Sequence, residues 1–309
     1  MSSTNSTTST TSMMFKSADG RATQQQWHRR FRDLVVARAG DGVSIESRTV
    51  DTIWGETHVL VGGPADGAPL VLLHGAMASS SHVLAELVPL LSTYRVHAVD
   101  ILGQSAMSAD VRLPVDDDSH GRWLAAVMDG LGLASAHIVG VSWGGFVALR
   151  LAATAAERVD ALVLLVPAGL VTGSAWEGIT KMGWPMFRYL NKPTPERLQA
   201  LAANLLSSVD DDNWRDSVGD AFRTARMGTM KVPTLATTAE FKGFQRPVLV
   251  IAADQDVSFP GDKVIARARV LFGDAVDTEL LQGCKHSPPT TDAFRAFLSA
   301  RLLAFLATA

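Results

Sequence analysis

The sequence predicts an α/β fold: a mostly parallel central sheet with helices on both faces, interrupted by one helical insertion. Three observations carry that prediction. From residue 70 onward, six short apolar runs (LVLLH, RVHAVD, AHIVGVS, ALVLLV, PVLVIAAD and VDTELLQG) alternate with segments of helical character, as strands buried on both faces do. Two of those segments carry a helical apolar stripe: Trp123, Val127, Met128 and Leu131 in one, Phe294, Phe297, Leu298, Leu302 and Phe305 in the other, and all of these are expected in the core. Finally, roughly 75 residues separate ALVLLVPAG from PVLVIAAD, where a connection of about 4–6 is usual.

Taken in order, the opening MSSTNSTTSTTSMM is a Ser/Thr run with neither the basic nor the apolar region of a secretory signal, so residues 1–14 are expected to be a disordered tail. In QQQWHRRFRDLVVARAG the residues Trp27, Phe31, Leu34 and Val35 share one face, predicting a helix packed on the main body. SIESRTVDTIWGETHVLVGG alternates around a turn at Trp54 to Glu56, predicting an antiparallel hairpin at a sheet edge. The core domain is then 15–169 plus 247–309, and 170–246 is a helical cap insertion. Its large side chains, Trp176, Met182, Trp184, Met186, Phe187, Tyr189, Trp214, Phe222, Met227 and Met230, are expected mostly to fill a small core of its own.

Composition narrows the function. The chain has 309 residues, 47% hydrophobic, and a formal net charge of −3 without a basic stripe, which argues against nucleic acid or an anionic membrane as partner. A small uncharged or apolar molecule fits better. No run approaches the roughly 18 apolar residues of a membrane span. Cys284 is the only cysteine, so no intrachain disulfide forms and a reducing cytoplasm is the expected compartment.

The most informative stretch is Gly140-Val141-Ser142-Trp143-Gly144-Gly145, between the strand-like AHIVGV and the helical WGGFVALRLAATA. A sharp strand-to-helix turn falls on Ser142, and the flanking glycines leave room for it. Ser142 thereby sits at a helix N-terminus, where the unpaired amide of Trp143 is available to an oxyanion. A serine hydroxyl needs a base, and the base needs an acid to orient it. After PVLVIA come Asp254 and Asp256, and after VDTELLQ comes His286 in the loop GCKHSPP. Loops at the carboxyl ends of parallel strands converge on one site. The other histidines suit the role less: His58, His97 and His137 lie in or beside strands, and His28, His82 and His120 in or near helices. His74 opens the loop His74-Gly75-Ala76-Met77 after LVLL. We read it as a structural brace, and the Ala76 amide as the second oxyanion donor.

These residues resemble the α/β-hydrolase superfamily, specifically its capped serine esterase and lipase-like members. The resemblance runs from about Thr57 to the C-terminus through THVLVGG, VLLHGAM, RVHAVDILGQSAMS, VGVSWGG, ERVDALVLLVPAG, PVLVIAADQDVSFP and the His286 loop. It implies Ser142 as nucleophile, His286 as general base, Asp256 as its orienting acid, and the Ala76 and Trp143 amides as oxyanion hole, with no metal or cofactor. Asp256 is preferred to Asp254 because Ala253-Asp254-Gln255-Asp256 with Pro260 keeps the family's G-E-x-D register.

Two departures stand out. Lys285 replaces the second glycine of G-x-G-H and is expected to reach water. Asp100-Ile-Leu-Gly103-Gln104-Ser105-Ala-Met-Ser108 lacks a glycine and carries its serine one place late. The implied function is hydrolysis of small or medium apolar carboxylic esters. Perhydrolysis, C–C bond hydrolysis, acyl transfer, or ligand binding on a hydrolase frame are the alternatives. Oligomeric state and physiological substrate have no signature in the sequence.

Overall fold

A computed structural model describes residues 12–40, 42–273 and 276–309. Its strands are β1 (Ile45–Thr52), β2 (Gly55–Gly62), β3 (Pro69–Leu73), β4 (Arg95–Val99), β5 (Ala136–Val141), β6 (Val159–Leu165), β7 (Val248–Ala253) and β8 (Asp277–Leu281). They form one eight-stranded sheet in the order β1-β2-β4-β3-β5-β6-β7-β8. Only β2 runs against its neighbours β1 and β4; the remaining pairs are parallel. The β1–β2 hairpin closes one edge as the alternation predicts. The six apolar runs supply β3 to β8.

The helices are α1 (Ala18–Ala39), α2 (Ser80–Glu86), α3 (Ser119–Gly130), α4 (Trp143–Thr154), α5 (Ala175–Glu177), α6 (Trp184–Asn191), α7 (Pro195–Ala202), α8 (Asp212–Thr224), α9 (Gly261–Phe272) and α10 (Asp292–Leu306). On one face of the sheet Trp123, Phe146, Val264 and Leu271 join α3, α4 and α9 to the strands. On the other, Phe31, Val35, Leu84, Leu298 and Leu302 do the same for α1, α2 and α10. Burying each such side chain contributes about 1.5–3 kcal/mol. One expected core residue is misplaced: Phe297 is 47% exposed while Leu306 is buried. The stripe of α10 is centred on 298, 302 and 306, a strict four-residue spacing that leaves 297 on the flank.

The start of the chain also differs from expectation. Of the stretch expected to be disordered, 1–11 lie outside the described residues, but Met14 is buried. Its amide donates to Asp110 Oδ1 at 2.8 Å, its carbonyl accepts the Arg226 amide at 2.7 Å, and the Lys16 amide donates to Thr224 O at 2.9 Å. Residues 14–16 are thus ordered by backbone pairing beyond the end of α8. From there α1 runs for 22 residues, its Trp27 Nε1 donating to Asp220 of α8 at 3.0 Å and its Arg21 to the Ala106 and Ser108 carbonyls.

Within 170–246, Tyr189, Leu201 and Phe222 form a small cluster with Met182, Met186, Leu198 and Met227 around them. Other members of that segment go elsewhere. Trp214 packs on the body against Phe31 at 5.2 Å, and Ala236 and Phe241 join the main core. Trp176, Trp184 and Phe187, expected to be interior, are exposed.

Beneath the carboxyl ends of the strands lies a buried polar knot. Asp100 accepts from the Ser80 amide at 2.9 Å, the Ser80 and Ser105 hydroxyls at 2.6 Å each and His58 Nδ1 at 2.7 Å. Burial opposes its ionisation, yet the His58 hydrogen bond and the surrounding histidines hold its carboxyl well below the usual carboxylate range. Ser79 links His28 and His82, at 3.1 and 2.8 Å. Burial lowers His28 to about 4 and His82 to about 3; His120, under α4, is likewise lowered by burial to about 4.

These three histidines are therefore neutral in the folded protein. Below pH 6.5 the unfolded chain takes up protons that the folded one refuses, so stability falls as pH drops from 6.5 through about 4, at up to about 1.4 kcal/mol per unit of depression for each group. Melting temperatures measured across this range should fall steadily with acidification; a constant Tm would contradict the assignment. A steric prediction accompanies it. A Cβ at Gly140 would stand 2.5 Å from the Gly144 carbonyl oxygen, while one at Gly178 meets nothing. Gly140→Ala should cost several kcal/mol and Gly178→Ala should be neutral or stabilising by up to about 1 kcal/mol, as chemical denaturation would read.

Candidate active site

The elbow between β5 and α4 is built by close approach. Ser142 takes φ 52°, ψ −113°, a conformation that costs a non-glycine residue about 1–3 kcal/mol. It is fixed from several sides: its amide donates to Leu165 O at 2.9 Å, and its carbonyl accepts the Gly145 and Ala168 amides at 2.9 and 3.0 Å. A Cβ at Gly144 would strike the Leu73 carbonyl, and one at Gly145 would stand 2.7 Å from Pro167 Cβ. The glycines allow α4 to seat this closely on β3 and β6.

Ser142 Oγ lies 2.9 Å from His286 Nε2, and His286 Nδ1 lies 2.7 Å from Asp256 Oδ2. A carboxylate can only accept, so Nδ1 carries the proton and Nε2 presents its lone pair to the hydroxyl. Asp256 is itself buried and held by the Ser258 and Phe259 amides at 2.7 and 3.0 Å. The Phe259 ring stands edge-on to the imidazole, 5.4 Å between centroids. Burial disfavours the imidazolium, but the charge and hydrogen bond of Asp256 prevail and raise His286 above the ordinary 6.5. Asp254 lies elsewhere: its carboxylate accepts the Gly283 and Cys284 amides at 3.0 and 3.1 Å, bracing the histidine loop from below. Burial and Asp254 together push the neighbouring Cys284 thiol up, leaving it protonated and unreactive.

The loop after β3 places Ala76 across from the elbow. Met77, not Gly75, is its left-handed residue, at φ 55°. A Cβ on Gly75 would stand 3.5 Å from Ser142 Cβ, so this glycine keeps clear the space beside Ser142. The Met77 amide is taken by Gln104 Oε1 at 3.3 Å, whereas those of Ala76 and Trp143 have no protein acceptor among the described residues. Gln104 thus steadies the β3 loop, and it is Ser105 that stands where the family pattern has its second glycine. Ser105 and Ser108 both close on Asp100, the latter at 2.6 Å from its carbonyl. His74 is a brace, Nδ1 at 2.6 Å from Gly75 O and Nε2 accepting the Ile101 amide at 2.9 Å. The Trp143 indole packs edge-on against Phe146, 5.8 Å between centroids. Among the described residues no group of three or more His, Cys, Asp and Glu is arranged to hold a metal ion.

The sequence reading missed a strap from the cap segment. Ser207 Oγ accepts the Lys285 amide at 2.9 Å, the Ser207 amide donates to Ser287 O at 2.9 Å, and the Ser287 amide donates to Leu205 O at 2.8 Å. Both chain neighbours of His286 are therefore pinned. Asp211, which caps α8 through Oδ1, also receives the Thr290 hydroxyl at 2.6 Å. Lys285, expected in water, instead donates its ammonium to Ala203 O at 2.6 Å, the carbonyl at the end of α7, where the helix dipole favours a cation. No local signal in the sequence pairs segments about eighty residues apart.

Over residues 68–292 the chain matches the family model of the alpha/beta hydrolase fold. The uncharacterized carboxylesterase nap of Bacillus subtilis (strain 168) is 27% identical over 259 residues, 79% of this chain and 81% of that protein. Carboxylesterase YbfK of the same organism is 26% identical over 256 residues, 79% and 82% of the two. Among solved structures, naproxen esterase (carboxylesterase NP) from Bacillus subtilis gives a TM-score of 0.77 at 22% identity, covering 94% of this chain and 99% of that one; this is a likeness of fold.

Loss of the strap should be felt at Ser142. In Ser207→Ala the Lys285 amide loses its acceptor, a change worth about 1–3 kcal/mol, and labelling of Ser142 by a fluorophosphonate should slow roughly tenfold, with Ser207→Thr restoring most of the rate. Labelling of Ser207→Ala at the wild-type rate would show that the strap does not position His286.

Proposed function

The chain belongs to the α/β-hydrolase family, and from that membership we propose that it is a carboxylic ester hydrolase working through an acyl-enzyme on Ser142. The observation that carries the reading is the chain of contacts Ser142–His286–Asp256, 2.9 and 2.7 Å, set beside two unengaged amides. Relatives named carboxylesterases support ester hydrolysis as the activity. The single cysteine, Cys284, supports a reducing compartment.

In this mechanism His286 Nε2 takes the Ser142 hydroxyl proton as Oγ bonds to the ester carbon. The carbonyl oxygen gains the electron pair and is held by the Ala76 and Trp143 amides, each worth about 3–4 kcal/mol to the transition state. Collapse re-forms the carbonyl and breaks the bond to the alcohol oxygen, which receives the proton from His286. Water repeats the sequence: its proton goes to His286, its oxygen to the acyl carbon, and Ser142 leaves with the proton. Asp256 stays ionised throughout, fixing the tautomer. Met77, Met182 and Met186 all pack on the cluster of Tyr189, Leu201 and Phe222, and flexible thioethers of this kind suit small or medium apolar groups of varied shape.

Ser142→Ala should fold and melt as wild type does, yet lose roughly 10⁵-fold or more of its turnover of p-nitrophenyl esters. Asp256→Asn should cost about 10³–10⁴-fold and Asp254→Asn only about tenfold, since it braces the loop without touching the imidazole; the reverse order would reassign the acid. The base must be neutral to act, so kcat/KM should fall as pH drops through a value above 6.5. In Asp256→Asn, where burial acts alone, the same limb should move to lower pH. A limb that stays in place would detach Asp256 from the titration.

A further inference from the structure

The cap carries a helix that is apolar on two sides. From Ala175 to Asn191 the chain is helical throughout, α5 passing through a wide π turn at Gly178–Gly183 into α6. One side faces the molecule, with Tyr189 buried and Met182 and Met186, like Met77, packed against the cluster it forms with Leu201 and Phe222. The other side meets solvent with Trp176 at 73%, Ile179 at 62%, Trp184 at 58% and Phe187 at 59% exposure. Trp184 and Phe187 are stacked, 5.8 Å apart at 20°. An exposed cluster of two indoles, a benzyl and a sec-butyl group on one helix is costly in water and marks a contact surface.

The charges beside this face indicate the kind of contact. Residues 175–192 hold Lys181, Arg188 and Lys192 against Glu177 alone. Glu177 is satisfied by Lys181 at 2.7 Å, and Arg188 and Lys192 are exposed, with no ion pair among the described residues. The helix is thus locally cationic on a chain whose formal net charge is −3. Arg188 adjoins Phe187 in α6 and Lys192 stands at the C-cap of that helix, so both cations lie at one end of the Trp176–Phe187 strip.

We propose that this face is a docking site for a phospholipid surface bearing anionic headgroups. The helix would lie in the plane of the interface, its indoles and benzyl at the headgroup and acyl boundary and its basic end at the phosphates. Whole-chain charge argues against general attraction to such a surface, and the local excess of positive charge overrides it within a Debye length. With Met182 and Met186 on the opposite side, docking would set the β3 loop directly beneath the lipid-facing helix.

The test is flotation with vesicles of phosphatidylcholine alone or mixed with phosphatidylglycerol, using wild type, a Trp176→Ser, Phe187→Ser double variant, and an Arg188→Gln, Lys192→Gln double variant. Wild type should float with the vesicles, more so with the anionic lipid. The aromatic variant should bind at least about tenfold more weakly to either, and the basic variant should lose only the preference for anionic lipid. All three should hydrolyse a short water-soluble ester equally, which shows that they are folded. Binding is read without turnover, so inactivity toward esters would leave it intact. Wild type remaining free of both vesicles, or the aromatic variant binding as wild type does, would overturn the proposal. So would a monomer–dimer equilibrium in sedimentation that the aromatic variant abolishes, which would give the face to a second copy.

Discussion

The site depends on how closely the start of α4 approaches the ends of β3, β5 and β6. That approach is possible only with hydrogen at the Cβ positions of 140, 144 and 145, where a methyl group would meet backbone or Pro167. Once α4 is seated, the chain entering it has no room for an ordinary turn, and Ser142 is forced into φ 52°. Two further non-glycine residues among those described share that region, Met77 at 55° and Val166 at 42°, and they follow β3 and β6 as Ser142 follows β5. For a β-branched residue such as Val166 this is a true outlier. Its amide donates to Ile251 O at 2.7 Å, so it cannot relax without breaking a contact to β7. Strain of about 1–3 kcal/mol at each position is offset by the buried sheet below and leaves Ser142 and the β3 loop in one arrangement.

The histidine loop is governed by a different constraint, because beyond Pro288 and Pro289 its shape is set by contacts from other segments. It leaves β8 at the edge of the sheet and is held from two directions. From the body, Asp254 takes two of its amides and the Gln255 amide donates to Cys284 O at 2.9 Å. From the 170–246 segment, residues 203–211 grip 285, 287 and 290. A displacement of the cap segment is therefore transmitted to the imidazole, whereas Ser142, fixed within the sheet, would stay in place. The position of His286 is more dependent on the insertion than that of Ser142.

This division explains what could be read from the residues. Strands buried on both faces leave long apolar runs, so β3 to β7 are legible, and the hairpin is legible from its alternation; β8, half-buried at the sheet edge, is legible from its place in the succession of strands. The elbow was legible because steric necessity restricts which residues can occupy it. Side chains whose environment is set by distant segments were not. Phe297 shares the composition of its neighbours but lies one position off the buried stripe; Trp176, Trp184 and Phe187 look like core from composition and face water. Met14 appears in a Ser/Thr-rich run and is ordered by residues more than two hundred positions away. Lys285 was read as seeking water because its acceptor, the Ala203 carbonyl, belongs to a helix end that no local pattern connects to it.

Histidine illustrates the same limit in chemical terms. Residue type cannot separate a base from a brace, but the fate of each ring nitrogen can. His74 lies at the mouth of the β3 loop, next to the proposed oxyanion donor, yet both its nitrogens are engaged: Nδ1 with Gly75 O and Nε2 as acceptor of the Ile101 amide. With that lone pair occupied it has nothing to offer a hydroxyl. Burial also lowers its pKa, more than Asp100 can restore. His286 is equally a ring near a carboxylate, but Asp256 is in direct contact at Nδ1, and Nε2 faces Ser142 and no competing amide. Direct contact outweighs burial and raises the pKa. A base must both have a free lone pair aimed at its proton and tolerate the charge it acquires, and among the histidines described with a lowered or raised pKa only His286 meets both conditions.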